Sequence, residues 1–214
     1  MLNYKLIFFD LDGTLIKCKS SWELVHEHFG TLDKAKKALE EYRVRKISYQ
    51  EFMVKDISSW MKKKKKRIHI KEIEEILKDY ELNTGAKDVV SELKRRGLKV
   101  IIVTAGINLL AERVGKQLNV DAVLSNRIEI DNDGYLVGRG IEGVDPYKKD
   151  ELLKEVSMKE GIPLEKTVAV GDTIYDLNML KTAGLGLYFN NTENVEDSNI
   201  KSIHTLQEIL DYVR

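Results

Sequence analysis

Cysteine, net charge and long apolar runs are all scarce in this chain, and each scarcity excludes a class of protein. The single cysteine, Cys18, rules out a disulfide framework and a cysteine-rich metal site, so a reducing, cytoplasmic environment is expected. Lysine plus arginine number 35 and aspartate plus glutamate also number 35, so no net charge attracts nucleic acid or an anionic membrane. The apolar stretch 100–105 is too short to span a bilayer, and Asp10 comes too early for a signal peptide.

The chain also lacks internal repeats and low-complexity linkers. Its 214 residues, 43% of them hydrophobic, are enough for one good core, or for a core domain with a smaller appendage. We therefore expect a globular protein whose function resides in particular side chains rather than in an overall charge or a repeated unit.

The most informative segment is 5–14, which reads KLIFFDLDGT. Residues 6–9 form a short apolar block typical of a buried parallel strand, and Gly13 allows a sharp turn after it. Asp10 and Asp12 alternate with Leu11, so both carboxylates point to one side of the extended chain. Open α/β sheets bind ligands at this end of a strand. The alternative is an Asp-Gly turn with two solvated carboxylates.

Strand and helix patterns alternate along most of the chain, which predicts an α/β fold with a Rossmann-like, doubly wound parallel sheet. The alternation stops between residues 17 and 82, where four amphipathic helices are predicted and no strand. They cover 20–29, 31–45, a stretch beginning at 48, and 70–80. We therefore predict a Rossmann-like core domain formed by 1–16 and 83–214, with a small helical domain, 17–82, inserted into it.

The predicted core contains a β-hairpin around the turn 131–134, which reads DNDG. Its other predicted strands are 99–103, 122–125, 167–170, 185–189 and a short one near 203, and its helices are 86–96, 108–118, 149–160, 176–183 and one from 206.

Two further segments fit an anion site. Thr104, Ala105 and Gly106 follow the strand 99–103 and offer a hydroxyl and free backbone amides at the start of the next helix. Lys148 and Lys149 begin a helix near the same edge of the sheet. Each segment alone is weak evidence for an anion site, because many α/β loops carry threonine and glycine and an unassisted lysine is more often on the surface.

A second acidic pair lies at the end of another predicted strand. Gly171 follows the apolar stretch 168–170, and Asp172 and Asp176 lie one helical turn apart. Helix capping would explain either aspartate separately, but not a second strand-end acidic pair in one short chain. Grouped carboxylate oxygens of this kind suit Mg²⁺.

Taken in order, these segments resemble the haloacid dehalogenase superfamily of phosphohydrolases. The pattern of that superfamily is Asp-x-Asp-Gly-Thr, a strand-end Ser or Thr, a Lys, and Gly-Asp-x-x-x-Asp, and the match covers the whole chain. The helical insertion between the first two motifs resembles the phosphoserine phosphatase branch. By this resemblance the insertion is a cap domain that covers the site and excludes water during phosphoryl transfer.

The resemblance implies a role for each carboxylate. Asp10 is the nucleophile that forms an aspartyl phosphate, and Asp12 protonates the leaving alcohol and later deprotonates the attacking water. Mg²⁺ lies between the Asp10 carboxylate, the Asp12 backbone carbonyl and Asp172, and Asp176 holds it directly or through water. The phosphate-binding groups implied are those of Gly13, Thr14, Thr104, Ala105 and Lys149, with Lys148 as a competitor for the last role.

The chain departs from the phosphoserine phosphatase pattern at positions that concern the substrate. Lys19 stands where that branch has a glutamate for the substrate ammonium, Val54 where it has an arginine for the carboxylate, and Tyr175 where it usually has asparagine. We therefore expect phosphoserine to be a poor substrate and an ester without an ammonium to be preferred. The candidate substrate-contacting residues of the cap are Lys19, Trp22, Glu23 and Asp56.

The resulting prediction is a Mg²⁺-dependent phosphatase acting on a small phosphorylated metabolite, with no nucleic-acid or membrane partner, as a monomer or small homo-oligomer. The alternatives are a phosphoserine phosphatase proper, a phosphotransferase or phosphomutase that uses the same Asp10, and a catalytically silent binding module.

Overall fold

A seven-stranded sheet forms the centre of the computed structural model, which describes residues 4–17, 20–190 and 197–213. The strand order is β4-β3-β2-β1-β5-β6-β7. The strands are Leu6–Phe9 (β1), Lys99–Ile107 (β2), Ala122–Ile130 (β3), Leu136–Ile141 (β4), Thr167–Gly171 (β5), Leu185–Phe189 (β6) and Ile200–Ile203 (β7).

All neighbouring strands pair in parallel except β3 and β4, which form the predicted antiparallel hairpin. β1 lies in the middle of the sheet because its four side chains are apolar and fully buried, which only a strand covered on both faces allows. Ile7 and Phe9 join one buried apolar cluster, and Leu6 and Phe8 join another. The two clusters lie on opposite faces of the sheet, and the predicted doubly wound α/β fold is confirmed.

Within the part of the chain that the structure describes, five helices accompany the strands of this sheet. They are Ala86–Arg95 (α5), Asn108–Leu118 (α6), Lys149–Glu160 (α7), Leu177–Thr182 (α8) and Ile209–Tyr212 (α9). Among the described residues, no helix is long and apolar enough to cross a membrane.

Four helices are described between β1 and α5, in the stretch predicted to be helical. They are Ser21–Phe29 (α1), Leu32–Arg43 (α2), Tyr49–Lys64 (α3) and Ile70–Ile76 (α4). The Ser20 side chain caps α1 by accepting from Glu23 N, and Ser48 and Glu51 form a capping box at the start of α3. The rings of Trp22 and Trp60 stack with centroids 5.7 Å apart, which joins α1 to α3.

The chain enters this helical segment near Lys17 and leaves it near Asn83. These two connections, called the crossings below, are hydrogen-bonded to each other. Lys17 N donates to Glu81 O at 2.9 Å, and Asn83 N donates to Leu15 O at 2.8 Å. The helices also contact the hairpin, where Gln50 Nε2 donates to Gly140 O at 2.8 Å. The division into a core and a cap remains a prediction.

Several element boundaries differ from those predicted. The fourth helix stops at Ile76 instead of continuing to about residue 80, because the chain turns back to form the bridge between Ile16 and Leu82. The predicted strand 122–125 and the first strand of the predicted hairpin are one continuous strand, β3. Helix α8 begins at Leu177, after a 3₁₀ turn over Ile174–Asp176.

The boundary that matters most for the site is the end of β2. The strand continues to Ile107, with a shift of register after Val103. Gly106 is required in this segment, because a Cβ there would lie 2.7 Å from Ser21 Oγ and 2.9 Å from Asp12 Oδ2. The close approach of α1 to this strand therefore depends on a missing side chain.

Candidate active site

The predicted functional segments meet at the carboxyl edge of the three central strands. Asp10 follows β1, Thr104 lies near the end of β2, and Asp172 follows β5. Because β1 pairs in parallel with both β2 and β5, the three segments end side by side. The fold thus brings Asp10 to the same edge as Asp172, which lies 162 positions later in the chain.

Three carboxylates and one ammonium form the centre of the site. One oxygen each from Asp10, Asp172 and Asp176 lies within 4.8 Å of the other two. Lys149 Nζ lies 2.5 Å from Asp10 Oδ1 and 2.6 Å from Asp176 Oδ1. Lys149 is buried whereas Lys148 is exposed, so Lys149 is the lysine that reaches the carboxylates.

The pKa values of these groups reflect burial and crowded negative charge. Burial raises the pKa of Asp10 well above its usual value, and burial with the nearby Asp176 raises that of Asp172 to about 6. Burial alone would lower the pKa of Lys149, but the Asp10 and Asp176 carboxylates together raise it. One ammonium among three carboxylates leaves excess negative charge, and the hard oxygen ligands fit a cation such as Mg²⁺.

The turn after β1 positions Asp172. Thr14 Oγ1 donates to Asp172 Oδ1 at 2.8 Å. Gly13 has φ +92°, and a Cβ on it would lie 2.2 Å from Asp172 Oδ2. Only glycine satisfies both the left-handed backbone and the close approach of the carboxylate.

The polar groups of Gly13 and Thr14, which are predicted to bind phosphate, form hydrogen bonds within the site. Gly13 N donates to Ile16 O at 3.0 Å, and Thr14 N donates to Leu11 O at 3.2 Å. The Thr14 hydroxyl donates to Asp172. These donors form hydrogen bonds within the site because the tight turn closes on itself, and phosphate binding by the two residues stays a prediction.

Asp176 caps the loop that carries Asp172. Its Oδ2 accepts from Asp172 N at 3.2 Å, from Thr173 N at 3.0 Å and from Thr173 Oγ1 at 3.0 Å. Its Oδ1 accepts from Lys149. Capping, which the sequence offered as an alternative, is thus one function of this residue, and the same carboxylate orients the lysine.

The segment 104–106 has only part of the predicted anion site, because it lies within β2 and the amide of Gly106 is already hydrogen-bonded. The next helix starts at Asn108, and the amides of Gly106 and Ile107 are taken by Thr104 Oγ1 at 3.0 Å and Ser21 Oγ at 2.9 Å. Because Thr104 Oγ1 accepts from Gly106, its own hydrogen remains available to an anion. The Ala105 carbonyl accepts from three side chains, those of Trp22, Tyr49 and Asn126.

Asp12 is held apart from the acidic cluster by α1. Its Oδ2 accepts from Ser21 N at 2.9 Å and from Ser21 Oγ at 3.1 Å. Its Oδ1 is buried and has no hydrogen-bond partner among the described residues. Burial raises the pKa of Asp12, which the two Ser21 bonds partly offset. Sequence reasoning missed Ser21, since a serine at the start of a helix usually signals only capping.

A cavity of about 300 Å³ extends from Asp10 and Asp12 into the helical segment. Trp22, Glu23 and Asp56, predicted as substrate-contacting residues, all line it, together with residues that the sequence did not single out, which include His26, Lys36, Tyr42, Tyr49 and Phe52. Val54 is not among the lining residues. Lys19 lies outside the described residues.

A buried polar pair lies in the wall of this cavity. His26 Nε2 lies 3.3 Å from Asp56 Oδ2, so the imidazole and the carboxylate are in direct contact in the interior. Trp60 Nε1 donates to His26 Nδ1 at 3.0 Å. Burial raises the pKa of Asp56. The histidine lies 30 positions from the aspartate in the chain, and no sequence pattern indicates their contact.

Tyr175 is the third position at which the chain departs from the phosphoserine phosphatase pattern, and its side chain joins the sheet edge to α2. Its hydroxyl oxygen accepts from Arg43 Nε at 2.9 Å, and its ring meets that of Tyr147 with centroids 5.1 Å apart. Nearby, the Tyr42 hydroxyl donates to Asp145 Oδ1 at 2.6 Å. Helix α2 is thus joined to the core by side-chain hydrogen bonds of Tyr175 and Tyr42, two residues that line the cavity.

Comparison with known proteins agrees with this geometry. The haloacid dehalogenase-like hydrolase family matches residues 7–181, and the chain belongs to that family. It is 32% identical over 214 residues to the phosphoserine phosphatase of Methanocaldococcus jannaschii, covering 98% of each chain. It is 34% identical over 195 residues to the phosphoserine phosphatase of Archaeoglobus fulgidus, covering 90% of this chain and 54% of the length of that relative.

A solved structure described as a phospho-aspartyl intermediate analogue of phosphoserine phosphatase has the same fold. Its TM-score is 0.79 at 30% identity, with 99% of this chain and 100% of the other covered. A phosphoserine phosphatase in its apo form matches with a TM-score of 0.80 and the same identity, over 99% and 100% of the two chains. The predicted class, a haloacid dehalogenase-like phosphatase, is confirmed.

Proposed function

We propose that this protein is a Mg²⁺-dependent phosphatase that hydrolyses a small phosphomonoester by way of a phosphoryl group carried on Asp10. The observation that carries the proposal is the cluster of Asp10, Asp172 and Asp176, with Lys149 Nζ against two of the carboxylates. The relatives support this chemistry, because they are phosphoserine phosphatases. One similar solved structure is described as an analogue of the phospho-aspartyl intermediate.

Asp10 is the nucleophile in this proposal. A carboxylate oxygen of Asp10 bonds to phosphorus as the ester oxygen leaves, and water then cleaves the aspartyl phosphate to release inorganic phosphate. Lys149 bonds to Asp10 Oδ1 and so fixes the carboxylate at the end of β1. Its ammonium, with the Thr104 hydroxyl, can also stabilise the transferring oxygens.

Asp12 is the general acid and base. Because Ser21 holds Oδ2, only Oδ1 remains free to exchange a proton. The raised pKa that follows from burial favours a carboxyl group that keeps its proton until the alcohol leaves. The same oxygen then accepts a proton from the water that attacks the aspartyl phosphate.

Asp10, Asp172 and the Asp12 backbone carbonyl are the groups that would hold Mg²⁺, with Asp176 contributing directly or through water. When bound, the ion cancels the repulsion between a carboxylate nucleophile and a phosphate dianion. Thr14 and Gly13 hold Asp172 in place for this role.

The helical segment is proposed to act as a cap. Side chains from α1, α2 and α3 line the cavity that begins at Asp10, so closure of residues 17–82 over the core would exclude water from the phosphoryl group. The two crossings near Lys17 and Asn83 would form the hinge.

A panel of phosphomonoesters that includes an activated aryl phosphate tests the reaction. Purified protein with Mg²⁺ should release phosphate from at least one ester, and Asp10→Asn should release none. Added acceptor alcohols reveal a phosphotransferase, because phosphate would then appear on the acceptor instead of in solution. Absence of turnover with every ester would favour a binding module.

A phosphoserine phosphatase proper is the second candidate, favoured by the names of the relatives. Including L-phosphoserine in the same panel decides between it and a phosphatase for another small ester.

A further inference from the structure

The peptide group between residues 105 and 106, called the 105–106 peptide below, is held at both of its polar ends. Its carbonyl oxygen accepts from Trp22 Nε1 at 2.9 Å, from Tyr49 Oη at 2.9 Å and from Asn126 Nδ2 at 2.8 Å. Its N–H points the opposite way and donates to Thr104 Oγ1 at 3.0 Å. Rotation of the peptide would break all of these hydrogen bonds, so its orientation is fixed.

Side chains hold this peptide where the sheet does not. The register of β2 against β3 shifts between Val103 and Ile107, and the 105–106 peptide lies within this shift. Trp22 lies in the first turn of α1, and Tyr49 is the first residue of α3. Two of the donors to the carbonyl therefore come from the helical segment that covers the site.

Asn126 is the donor that comes from the sheet. Its side chain is buried, and its Oδ1 accepts from Gly143 N at 2.8 Å and from Val144 N at 2.9 Å. Because N–H donors occupy the amide oxygen, the NH₂ end of the side chain is the one that faces the Ala105 carbonyl. The carbonyl is thus held from the sheet and from the helices at once.

These hydrogen bonds run in one direction and end at a hydroxyl in the cavity wall. Thr104 lines the cavity together with Asp10, and its Oγ1 accepts from the peptide N–H. The hydroxyl hydrogen then points elsewhere, and it has no acceptor within the described part of the chain. Hydrogen bonds in series polarise one another, so donors to the carbonyl strengthen the N–H and, through it, the hydroxyl as a donor. The free end of the series is suited to an anion.

Helix α1 contacts two different functional groups through consecutive residues. Ser21 holds the Asp12 carboxylate, and Trp22 holds the peptide that orients Thr104. The first turn of α1 therefore fixes the proposed general acid and a proposed phosphate donor together.

We propose that the three donors to the 105–106 peptide are positioning residues for phosphoryl transfer, because they hold the Thr104 hydroxyl in the orientation that donates to the phosphoryl group. These residues are Trp22, Tyr49 and Asn126. The proposal rests on the proposed phosphatase function, and it requires no contact between the three side chains and the phosphoryl group. Because two of them lie on α1 and α3, the phosphate site is complete only when these helices are in place.

A double-mutant cycle tests whether Tyr49 acts through Thr104. Tyr49→Phe removes one donor and keeps the ring, and Thr104→Val removes the hydroxyl and keeps the shape of the side chain. We expect Tyr49→Phe alone to lower kcat/KM for an aryl phosphate by about fivefold or more, the size expected for one hydrogen bond. In the Thr104→Val background the same substitution should cost less than about twofold. Equal losses in the two backgrounds would contradict the proposal.

Tyr80→Phe is the matched control, and Trp22→Phe is an independent second test. The Tyr80 hydroxyl donates to Gln117 Oε1, and Tyr80 is not among the residues that line the cavity. Tyr80→Phe should leave kcat/KM unchanged within about twofold. Trp22→Phe should reproduce the result of Tyr49→Phe, including its dependence on Thr104, which keeps the test decisive if Tyr49→Phe does not fold.

Inorganic phosphate separates an effect on Thr104 from a lost contact with the leaving group. Tyr49 and Trp22 also line the cavity, but phosphate has no leaving group for them to contact. In calorimetric titrations of the Mg²⁺-loaded protein, Tyr49→Phe should weaken phosphate binding by about fivefold. The same substitution should weaken it no further in the Thr104→Val background. Unchanged phosphate affinity in Tyr49→Phe would overturn the proposal.

These titrations also distinguish failure of the positioning role from failure of the proposed function. If no ester is hydrolysed but phosphate binding depends on Tyr49 and Thr104 in this coupled way, the phosphatase function fails and the orientation of Thr104 by Tyr49 stands. If esters are hydrolysed and Tyr49→Phe costs the same in both backgrounds, the function stands and the positioning role is excluded. Absence of phosphate binding by the wild-type protein would also overturn the positioning role.

Discussion

Lys149 Nζ lies 2.5 Å from Asp10 Oδ1, and this contact joins the start of α7 to the end of β1 at the centre of the site. Lys149 also bonds to Asp176 at 2.6 Å, so one buried ammonium compensates two buried carboxylates. Burial makes each of these charges depend on the others, because water cannot replace a missing partner.

Lys149→Met should therefore reduce both stability and activity. Metal-free protein should lose about 3 kcal/mol of unfolding free energy, because removing one partner leaves buried charges uncompensated. Activity should fall by about a hundredfold or more, as expected when a donor to the transferring group is removed. Urea unfolding in EDTA and phosphate release measure the two effects. Lys148→Met is the control on the neighbouring exposed lysine, and similar losses there would contradict the assignment of Lys149.

Asp10→Asn should abolish turnover without unfolding the protein. The amide has the same shape as the carboxylate, and Asp176 still pairs with the Lys149 ammonium in the variant, so the fold is retained. The wild-type enzyme quenched in acid during turnover should carry phosphate that hydroxylamine releases, and the variant should carry none. Substantial turnover by a correctly folded variant would exclude Asp10 as the nucleophile.

Chelation should reversibly inactivate the enzyme. Asp10, Asp172 and Asp176 need a cation before a phosphate dianion can approach them, so EDTA should abolish turnover and Mg²⁺ should restore it. Ca²⁺ should inhibit, because the larger ion takes additional ligands at longer distances. Undiminished activity in the chelator would mean that the carboxylates act without a metal.

The stability of the metal-free protein should fall as pH rises from about 4 to about 6. The pKa of Asp172 is raised from 3.8 to about 6 in the folded state by burial and by Asp176. In this window the folded protein binds more protons than the unfolded chain, so a higher pH favours unfolding. Thermal unfolding in EDTA should show a smaller decline in Asp172→Asn than in wild type. Mg²⁺ should stabilise the wild-type protein most at the upper end of the window.

Ser21→Ala should impair proton transfer specifically. Without the hydroxyl, Asp12 loses one of its two bonds to Ser21 and Ile107 N loses its acceptor. We expect kcat for an alkyl phosphate to fall by about tenfold or more, within the range of a general acid–base contribution. The first turnover of an aryl phosphate with an acidic leaving group should be nearly unchanged, because that alcohol needs no proton.

Ser48→Ala provides the comparison for Ser21→Ala, since Ser48 caps α3 and lies outside the cavity. It should reduce stability by about 1 kcal/mol and leave the ratio of alkyl to aryl rates unchanged. Equal losses on both ester types in Ser21→Ala would indicate a packing defect instead of a misplaced Asp12.

Local patterns in the sequence were enough to predict the fold and the two acidic segments that meet in the site. The apolar block of β1 followed by Asp10 and Gly13, and that of β5 followed by Asp172, are each fewer than ten residues long, and short-range geometry makes them strand ends. Ser20 and Ser48 likewise indicated the starts of α1 and α3, because capping involves only the next three residues. Parallel pairing then requires these ends to meet at one edge.

Tertiary packing alone decided which donors and carboxylates remain free for a ligand. The choice of Lys149 over Lys148 depends on how α7 is rotated against the sheet. The amides of Gly13 and Thr14 are used within their own turn, whereas Ser21 reaches Asp12 only because α1 packs against Gly106. His26 contacts both Trp60 and Asp56 only because α1 packs against α3. Such relationships join residues that are distant in the chain, and no local pattern encodes the packing that brings them together.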